Sequence, residues 1–299
     1  MANIRELDKR RKSIRNIRKI TRTMELIATA RFKKAMDRAA AANDYTQRIT
    51  AIVRDLAAAG LDVSHPLLSE RPQLKSSTML MLTSNRGLCG GYNGSVIRSA
   101  VQRRNELISG DKAFRFEISG KRGISAMKFR NIAIDQQYTK FEDQPAFDEV
   151  AKIADRLMDD FTAGRMDRLD VAYTRFVSVS KQIATVETLL PFSQPKSDDG
   201  ASRDPASEGG AANSDYEFLP SAASILEEVV PASFRVKLFK CFLDAAVSEQ
   251  IARMVAMKSA TENAGDIIKQ LSMTFNRARQ SKITQEIMEI IGGVEALEG

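Results

Sequence analysis

Residues 1–59 have the sequence MANIRELDKRRKSIRNIRKITRTMELIATARFKKAMDRAAAANDYTQRITAIVRDLAAA, which contains neither glycine nor proline. Such a stretch has nothing to stop a helix once one has started. At 1.5 Å per residue, the helix would run for roughly 90 Å. A domain of about 120 residues, the most that the middle of the chain could form, is only about 35–40 Å across. The sequence therefore predicts a helical rod that extends beyond any globular body of the chain.

This helix carries the positive charge of the protein. The net charge is +7, but residues 1–38 hold thirteen Lys and Arg against four acidic residues, which gives +9 there and −2 elsewhere. Nucleic-acid binders typically combine a basic face with interleaved aromatic residues or with a helix-turn-helix or zinc module. Here few aromatic residues and neither module accompany the basic face. The charge pattern therefore favours an acidic or polar protein partner over DNA.

Both ends of the chain carry the apolar spacing of a coiled-coil seam, with steps of three and four residues. The N-terminal seam, which Thr21, Arg31 and Arg38 interrupt, comprises Leu7, Ile14, Ile17, Met24, Ala28, Ala35, Ala42, Tyr45, Ile49, Ile52 and Leu56. The C-terminal register, within a helical stretch at 232–291, comprises Met257, Thr261, Ala264, Ile268, Leu271, Phe275 and Ala278. The two helices satisfy their seams most simply by pairing antiparallel with each other.

An apolar cluster follows the C-terminal seam, and we call it the apolar tip: Ile283, Ile287, Ile290, Ile291, Val294 and Leu297. Glycine is common just after helix ends, so we expect Gly292 and Gly293 to end the helix. Antiparallel pairing would leave the tip beyond the first residues of the N-terminal helix. Exposed apolar surface of this kind usually marks a partner site.

The middle of the chain alternates strand and helix patterns, which predicts a small, mostly parallel, Rossmann-like α/β domain with an antiparallel edge. Strands are expected from about residue 76 and at Ala113–Ser119, Asn131–Tyr138, Leu169–Ser178 and Gln182–Leu190, and helices at Tyr92–Ile108, Lys121–Phe129 and Ala146–Phe161. The predicted organisation is an N-terminal coiled-coil helix (1–62), an α/β foot domain (75–192), a flexible insert (193–219) and a C-terminal coiled-coil helix (220–299).

No catalytic, cofactor or metal site emerges from the residues. The glycine-rich turn Thr83–Asn93 follows a strand and could admit a phosphate, but it lacks the G-x-G-x-x-G order, and a tight strand-to-helix crossover is favoured. The acidic pairs Asp159–Asp160 and Glu227–Glu228 are expected on solvated helix faces. One histidine, His65, and two distant cysteines, Cys89 and Cys241, provide no metal or redox spacing.

Four segments resemble the gamma subunit of the F-type ATP synthase: Ile14–Ile27, Asn85–Asn93, Ala252–Asn263 and Asn276–Gly293. The resemblance implies a coiled coil in the cavity of a ring of three alpha and three beta subunits. It also implies a foot that rests, with epsilon, on the membrane ring of c subunits. The subunit would transmit rotation of the c-ring to the beta subunits, which would carry the ATP chemistry, and no cofactor of its own is expected. The start of the chain suggests a bacterial version, peripheral on the cytoplasmic side of the cell inner membrane.

The resemblance also implies roles for particular residues. Met24 matches a coupling-sensitive position, and Arg253 matches a position that faces beta. Four residues match C-terminal helix positions that face Met24 and the beta subunits: Arg279, Gln280, Thr284 and Glu286. Tyr216 and Phe218 match aromatic residues of the foot that meet the ring. Two other classes stay open on the residues alone, a nucleotide-binding α/β enzyme with helical arms and a basic coiled-coil nucleic-acid binder.

Overall fold

Long helices begin and end the chain, and a five-stranded sheet with three helices lies between them in sequence. The computed structural model describes residues 4–58, 65–69, 71, 73–108, 113–141, 144–192 and 222–298, with side chains for 4–41 of the first helix and 227–294 of the last. The elements are α1 (Ile4–Ala58), β1 (Ser76–Leu82), α2 (Tyr92–Ile108), β2 (Ala113–Ser119), α3 (Lys121–Phe129), β3 (Gln136–Tyr138), α4 (Phe147–Thr162), β4 (Arg168–Ser178), β5 (Lys181–Leu190) and α5 (Ala222–Glu298).

The sheet has the strand order β3-β2-β1-β4-β5. Strands β1 to β4 are parallel, and β5 pairs antiparallel with β4, so that it closes one edge of the sheet. Its first four strands have the same order as the first four strands of a doubly wound dinucleotide-binding fold, 3-2-1-4-5-6. The predicted α/β class, the mostly parallel sheet and its antiparallel edge are confirmed.

Alternate residues of the central strand serve two separate cores, as the two-residue period of a strand requires. Leu80 and Leu82 face the core formed with α4 and the first part of α5. Met79 and Met81 face the core formed with α2 and α3. Both faces of β1 are therefore buried, which explains its unbroken apolar sequence.

The chain forms two compact units. One comprises Met1–Ala30, Leu88–Gly90 and Ile251–Gly299, and the other comprises Arg31–Gly87 and Gly91–Gln250. The second unit holds the sheet and both of its cores. No helix in the described part of the chain is both long and apolar enough to cross a lipid bilayer.

Three boundaries differ by more than one residue from the sequence-based expectations. Strand β3 begins at Gln136 rather than Asn131, because Asn131 has a left-handed φ of 54° that breaks extended structure. Helix α5 begins before Pro231 and contains it. The neighbouring side chains of Val230 and Phe234 are fully buried, and burial of two such side chains, about 1.5–3 kcal/mol each, offsets the roughly 3 kcal/mol that proline costs a helix.

The third correction concerns the end of α5. The helix does not stop at Gly292–Gly293 but continues to Glu298. Glycine inside a helix costs only about 1 kcal/mol relative to alanine, so two of them weaken the helix without ending it.

Candidate functional site

Helices α1 and α5 pair antiparallel in the unit that contains both chain ends. The Thr261 hydroxyl donates a hydrogen bond of 2.8 Å to Thr21 Oγ1. Further along, the guanidinium carbon of Arg11 lies 4.5 Å from the centre of the Phe275 ring. Residue numbers rise along one helix as they fall along the other, so the predicted antiparallel coiled coil is confirmed.

Small and polar side chains contribute to the seam between these helices. Ala28 and Ala264 are almost completely buried, and alanine lets helix backbones approach closely. Thr21, which interrupts the apolar pattern in sequence, lies within the seam because it finds a hydroxyl partner across it. Ile17, expected in the seam, is instead 44% exposed. The seam therefore follows the predicted spacing, except that the hydrogen bond between Thr261 and Thr21 replaces one layer of apolar contacts.

A basic groove runs along α1 beside α5. It is lined by Thr261 and Ile268 of α5 together with Asn16, Thr23 and five cations, Lys12, Arg15, Arg18, Lys19 and Arg22. Asp8 and Glu25 neutralise part of this charge, with Asp8 bound to Lys12 at 3.0 Å and Glu25 to Arg22 at 2.8 Å. Hydrogen bonds from Lys12 and Arg11 lower the pKa of Asp8. The remaining positive charge faces solvent and can attract acidic side chains.

The four C-terminal positions predicted to contact beta lie together near the end of α5. Arg279, Gln280, Thr284 and Glu286 are all exposed. The Thr284 hydroxyl donates to the Gln280 carbonyl at 3.0 Å, and Glu286 lies 3.5 Å from Lys282. Local bonds hold two of these side chains along the helix, and their exposed surface is available to a partner.

Met24 does not face this group. The register places Met24 three residues from Thr21, which binds Thr261, whereas Arg279 lies eighteen residues beyond Thr261. Eighteen residues of helix correspond to roughly 27 Å. Arg279 to Glu286 therefore do not lie opposite Met24: the contact of Arg11 with Phe275 puts Arg279 near the beginning of α1 and puts Thr284 and Glu286 beyond Ile4, its first described residue.

The other predicted contact residues have different surroundings. Met24 is partly buried. The Arg253 side chain is only 6% exposed, so little of it is available to a partner, and its role stays a prediction. Tyr216 and Phe218 lie outside the described residues, as does the insert at 193–219.

The apolar tip is exposed wherever its side chains are described. Ile283, Ile287, Ile290, Ile291 and Val294 have exposed fractions between 47% and 68%. Leu297 lies outside the described side chains. Five exposed apolar residues along three helical turns form the kind of surface that usually marks a partner site.

Helix α3 begins at the carboxyl edge of the sheet, as α2 does after the turn Thr83–Asn93. In dinucleotide-binding proteins of related topology, a phosphate binds the free N–H groups of a helix N-terminus at this edge. The first three N–H groups of α3 are already bonded within the chain: Lys121 to Asn85 Oδ1 at 3.0 Å, Arg122 to the Ser84 carbonyl at 3.1 Å and Gly123 to Thr83 Oγ1 at 3.0 Å. The first three N–H groups of α3 are therefore not free for a phosphate, and at the turn Thr83–Asn93, which precedes α2, the favoured tight crossover stays a prediction.

Buried ion pairs are the feature that sequence patterns missed. Asp160 is only 7% exposed and lies 3.1 Å from Arg115 and 2.8 Å from Arg165. Burial opposes its ionisation, but hydrogen bonds from Arg165 and Arg115 outweigh burial and lower the pKa of Asp160. The expected solvated face is therefore wrong for Asp160. A second buried acid, Glu117, accepts hydrogen bonds from Tyr138 at 2.8 Å and Arg156 at 2.7 Å.

Comparison with known proteins places these features in a family. A sequence model described as ATP synthase matches residues 3–297. An ATP synthase gamma chain of Rhodopirellula baltica is 64% identical over 300 residues and covers all of both chains. A gamma chain of Nocardia farcinica is 36% identical, with 99% of this chain and 98% of the relative covered.

Solved structures share the fold at low sequence identity. A chain of the Euglena gracilis mitochondrial ATP synthase, in a structure of OSCP, F1 and the c-ring, aligns with a TM-score of 0.64 at 18% identity and covers 98% of this chain and 94% of its own. A chain of the Tetrahymena thermophila mitochondrial ATP synthase, from its central stalk and c-ring, aligns with a TM-score of 0.57 at 19% identity, over 81% of this chain and 99% of its own.

Proposed function

This chain belongs to the ATP synthase gamma-chain family, and we propose that it is the central-stalk rotor subunit of a proton-translocating F-type ATP synthase. Its paired helices turn inside a ring of three alpha and three beta subunits. Its sheet-containing unit rests with epsilon on the membrane c-ring. Rotation of the c-ring reaches the beta subunits through the helix pair and couples proton flow to ATP synthesis and hydrolysis.

The observation that carries this proposal is the 64% identity to a gamma chain along the whole length of both proteins. The geometry supports it independently. A helix pair with a basic groove, an exposed polar group at Arg279 to Glu286 and an exposed apolar tip provides three separate surfaces along one unit. A shaft enclosed by partner subunits needs contact surfaces of this kind along its length.

The proposal assigns no catalytic residue and no cofactor to this chain. Two of the acidic groups that the sheet-containing unit buries, Asp160 and Glu117, are held in ion pairs. The ATP chemistry is assigned to beta, and the subunit is placed at the cytoplasmic side of the bacterial inner membrane. The division into helix 1–62, foot 75–192, insert 193–219 and helix 220–299, and the roles of Met24, Arg253, Tyr216 and Phe218, are part of the same proposal.

Isolation of the native complex tests the proposal. An affinity tag on this chain should recover alpha, beta, epsilon and c subunits from solubilised membranes, with ATP hydrolysis in the recovered material. Recovery of the chain alone, with tight nucleotide binding, would support the α/β enzyme instead. Strongly salt-dependent binding of duplex DNA by the recovered chain would support the nucleic-acid binder.

A further inference from the structure

Helix α3 presents an exposed basic surface with an aromatic side chain at its end. We call it the α3 patch, and it consists of Lys121, Arg122, Lys128, Phe129 and Arg130, all of which are exposed. Phe129 has an exposed fraction of 89%, the largest of the exposed apolar side chains in the described part of the chain. The sequence has no acidic residue between Glu117, which is buried, and Asp135, which is exposed, and no ion pair to the four cations occurs among the described residues.

This arrangement works against the stability of the helix itself. Lys121 and Arg122 occupy the first turn of α3, where the helix dipole favours negative charge and repels cations. Phe129 leaves almost its whole ring in water, although Met127, two residues earlier, is buried in the core formed with α2 and α3. Local choices that oppose stability are expected where a surface serves a ligand.

The cations of the α3 patch do not form a site for a single phosphate at the helix end. Such a site needs free N–H groups in the first turn, and the groups of Lys121, Arg122 and Gly123 are bonded to the chain. The charge is instead spread along the helix from Lys121 to Arg130, a distance of roughly 14 Å. The ligand must therefore present several negative groups over an extended surface.

We propose that the α3 patch binds the anionic phospholipid headgroups of a membrane surface, with Phe129 inserted at the level of the headgroups. Clusters of four or more Lys and Arg are attracted to anionic bilayers. An aromatic ring beside them takes the interfacial position that such rings occupy at membrane surfaces. The inference goes beyond the rotor function, which does not require it.

Two features favour a bilayer over an acidic protein surface. Lysine is depleted at the cores of protein–protein interfaces, whereas Lys121 and Lys128 make up half of this charge. In addition, the apolar face of α3 is committed to the sheet core through Gly123, Ile124 and Met127. Only separate charges and a single ring remain for the ligand, and a flat, fluid array of headgroups can match these without a complementary groove.

The absence of tryptophan from the chain allows a direct test. The variant Phe129→Trp of the full chain carries a single fluorescent reporter at an exposed position, where the larger ring has space. A matched control, Ile20→Trp, places the reporter at a site on basic helix α1 that is 59% exposed. Each variant is titrated with vesicles of phosphatidylcholine alone and of phosphatidylcholine mixed with phosphatidylglycerol, at low and high salt.

The proposal expects a blue shift of the Phe129→Trp emission with anionic vesicles and none with phosphatidylcholine. Brominated lipids should quench this emission more than that of Ile20→Trp. Adding Lys121→Gln, Arg122→Gln, Lys128→Gln and Arg130→Gln should weaken vesicle binding at this reporter at least about tenfold. All four side chains are exposed, and far-ultraviolet circular dichroism checks that this variant is folded.

Three results would overturn the proposal. The first is a shift for Ile20→Trp alone, which would show that α1 and not α3 meets the bilayer. The second is a Phe129→Trp shift that is indifferent to lipid charge. The third is a shift that appears only when alpha, beta, epsilon or c subunits are added, which would assign the α3 patch to a protein partner. Each leaves the rotor function untouched, since that function is decided by subunit recovery.

Discussion

Gly120 connects β2 to α3 in a conformation that other residues avoid. Its φ is +103°, and its N–H donates to the Tyr138 carbonyl at 2.9 Å, which ties the helix start to β3. A Cβ at this position would collide with the carbonyl oxygen of Thr83, at the end of β1. Three parallel strands thus meet at a point where only glycine fits.

We expect Gly120→Ala to lower the free energy of unfolding by at least about 1–3 kcal/mol, the usual cost of such a backbone conformation. The collision with Thr83 adds to this cost. Gly91→Ala is the control, because no atom lies within 4 Å of the added methyl group, and a compatible Gly→Ala change is neutral or slightly stabilising. Urea unfolding of both variants checks the difference, and equal midpoints would contradict it.

Asp244 is a buried carboxyl on α5 that the proposed function does not use. Burial raises its pKa to about 6, although Lys240, Arg175 and the Phe176 N–H partly compensate. Glu187 adds repulsion. The folded chain therefore binds this proton more tightly than the unfolded chain does. Between about pH 4 and pH 6, the contribution of Asp244 to stability falls as the pH rises.

Asp244→Asn removes the ionisation but keeps an oxygen to accept the Phe176 N–H. We expect the variant to be more stable than the parent above about pH 6, by roughly 1–3 kcal/mol. The advantage should shrink as the pH falls towards 4, because the parent becomes protonated. Thermal unfolding across this pH range provides the measurement, with exposed Asp159→Asn as the control. A pH-independent difference would show that the carboxylate is not penalised in the fold.

Within the paired helices, one aromatic contact stands out as a test of the seam. Phe275 is partly buried and lies under the guanidinium group of Arg11. We expect Phe275→Ala to cost about 1–2 kcal/mol, below the 3–5 kcal/mol typical of a fully buried phenylalanine. Met273→Ala, at a side chain that is 67% exposed, should cost far less. If urea unfolding shows the two variants to be equal, the seam does not depend on Phe275.

Element boundaries could be predicted where local rules agree. Strand β2 and helices α2 and α3 match the expected limits, because glycines and polar turns bound their apolar runs. The helical stretch expected at 232–291 is too short at both ends, because neither Pro231 nor Gly292–Gly293 ends α5. Local rules give the free-energy cost of a proline or glycine in a helix, but they do not include the stabilisation that packing elsewhere in the fold provides.

The candidate site was only partly accessible to sequence patterns. The basic face of α1 and the apolar tip of α5 each follow from residue spacing within a single helix, and the described side chains of the tip are exposed as expected. The register is not accessible, because matching seams fix the direction of pairing but not which turns meet; only the structure shows that Arg279 does not lie opposite Met24. The ion pair between Arg115 and Asp160 is not accessible to sequence patterns either, because the two residues are 45 positions apart in the chain.

The assembled enzyme should sense charge on the paired helices more than the isolated chain does. Exposed charges contribute only about 0–1 kcal/mol each to the stability of the chain. In the assembled enzyme, a charge added to the paired helices also interacts with the partner surfaces around them. We expect Met24→Lys, next to the basic groove, to lower the number of protons pumped per ATP hydrolysed while assembly is preserved. Met24→Leu is the uncharged control. Proton pumping by membrane vesicles measures the ratio, and an unchanged ratio in an intact Met24→Lys complex would count against this role.

The end of α5 is expected to affect the stability of the assembled complex but not that of the isolated chain. No atom lies within 4 Å of a methyl group added at Gly292 or Gly293, and Val294 is 51% exposed. Among the described side chains, removal of 292–299 takes away little packing within the chain, and we expect the isolated subunit to melt at an unchanged temperature. The assembled complex should melt lower, because the lost apolar residues would otherwise be buried by alpha and beta. A Gly/Ser tail of equal length should behave like the deletion if side chains, not length, make the contact. A markedly lower melting temperature of the truncated subunit alone would show that this segment packs on its own chain and that no partner socket is needed to explain it.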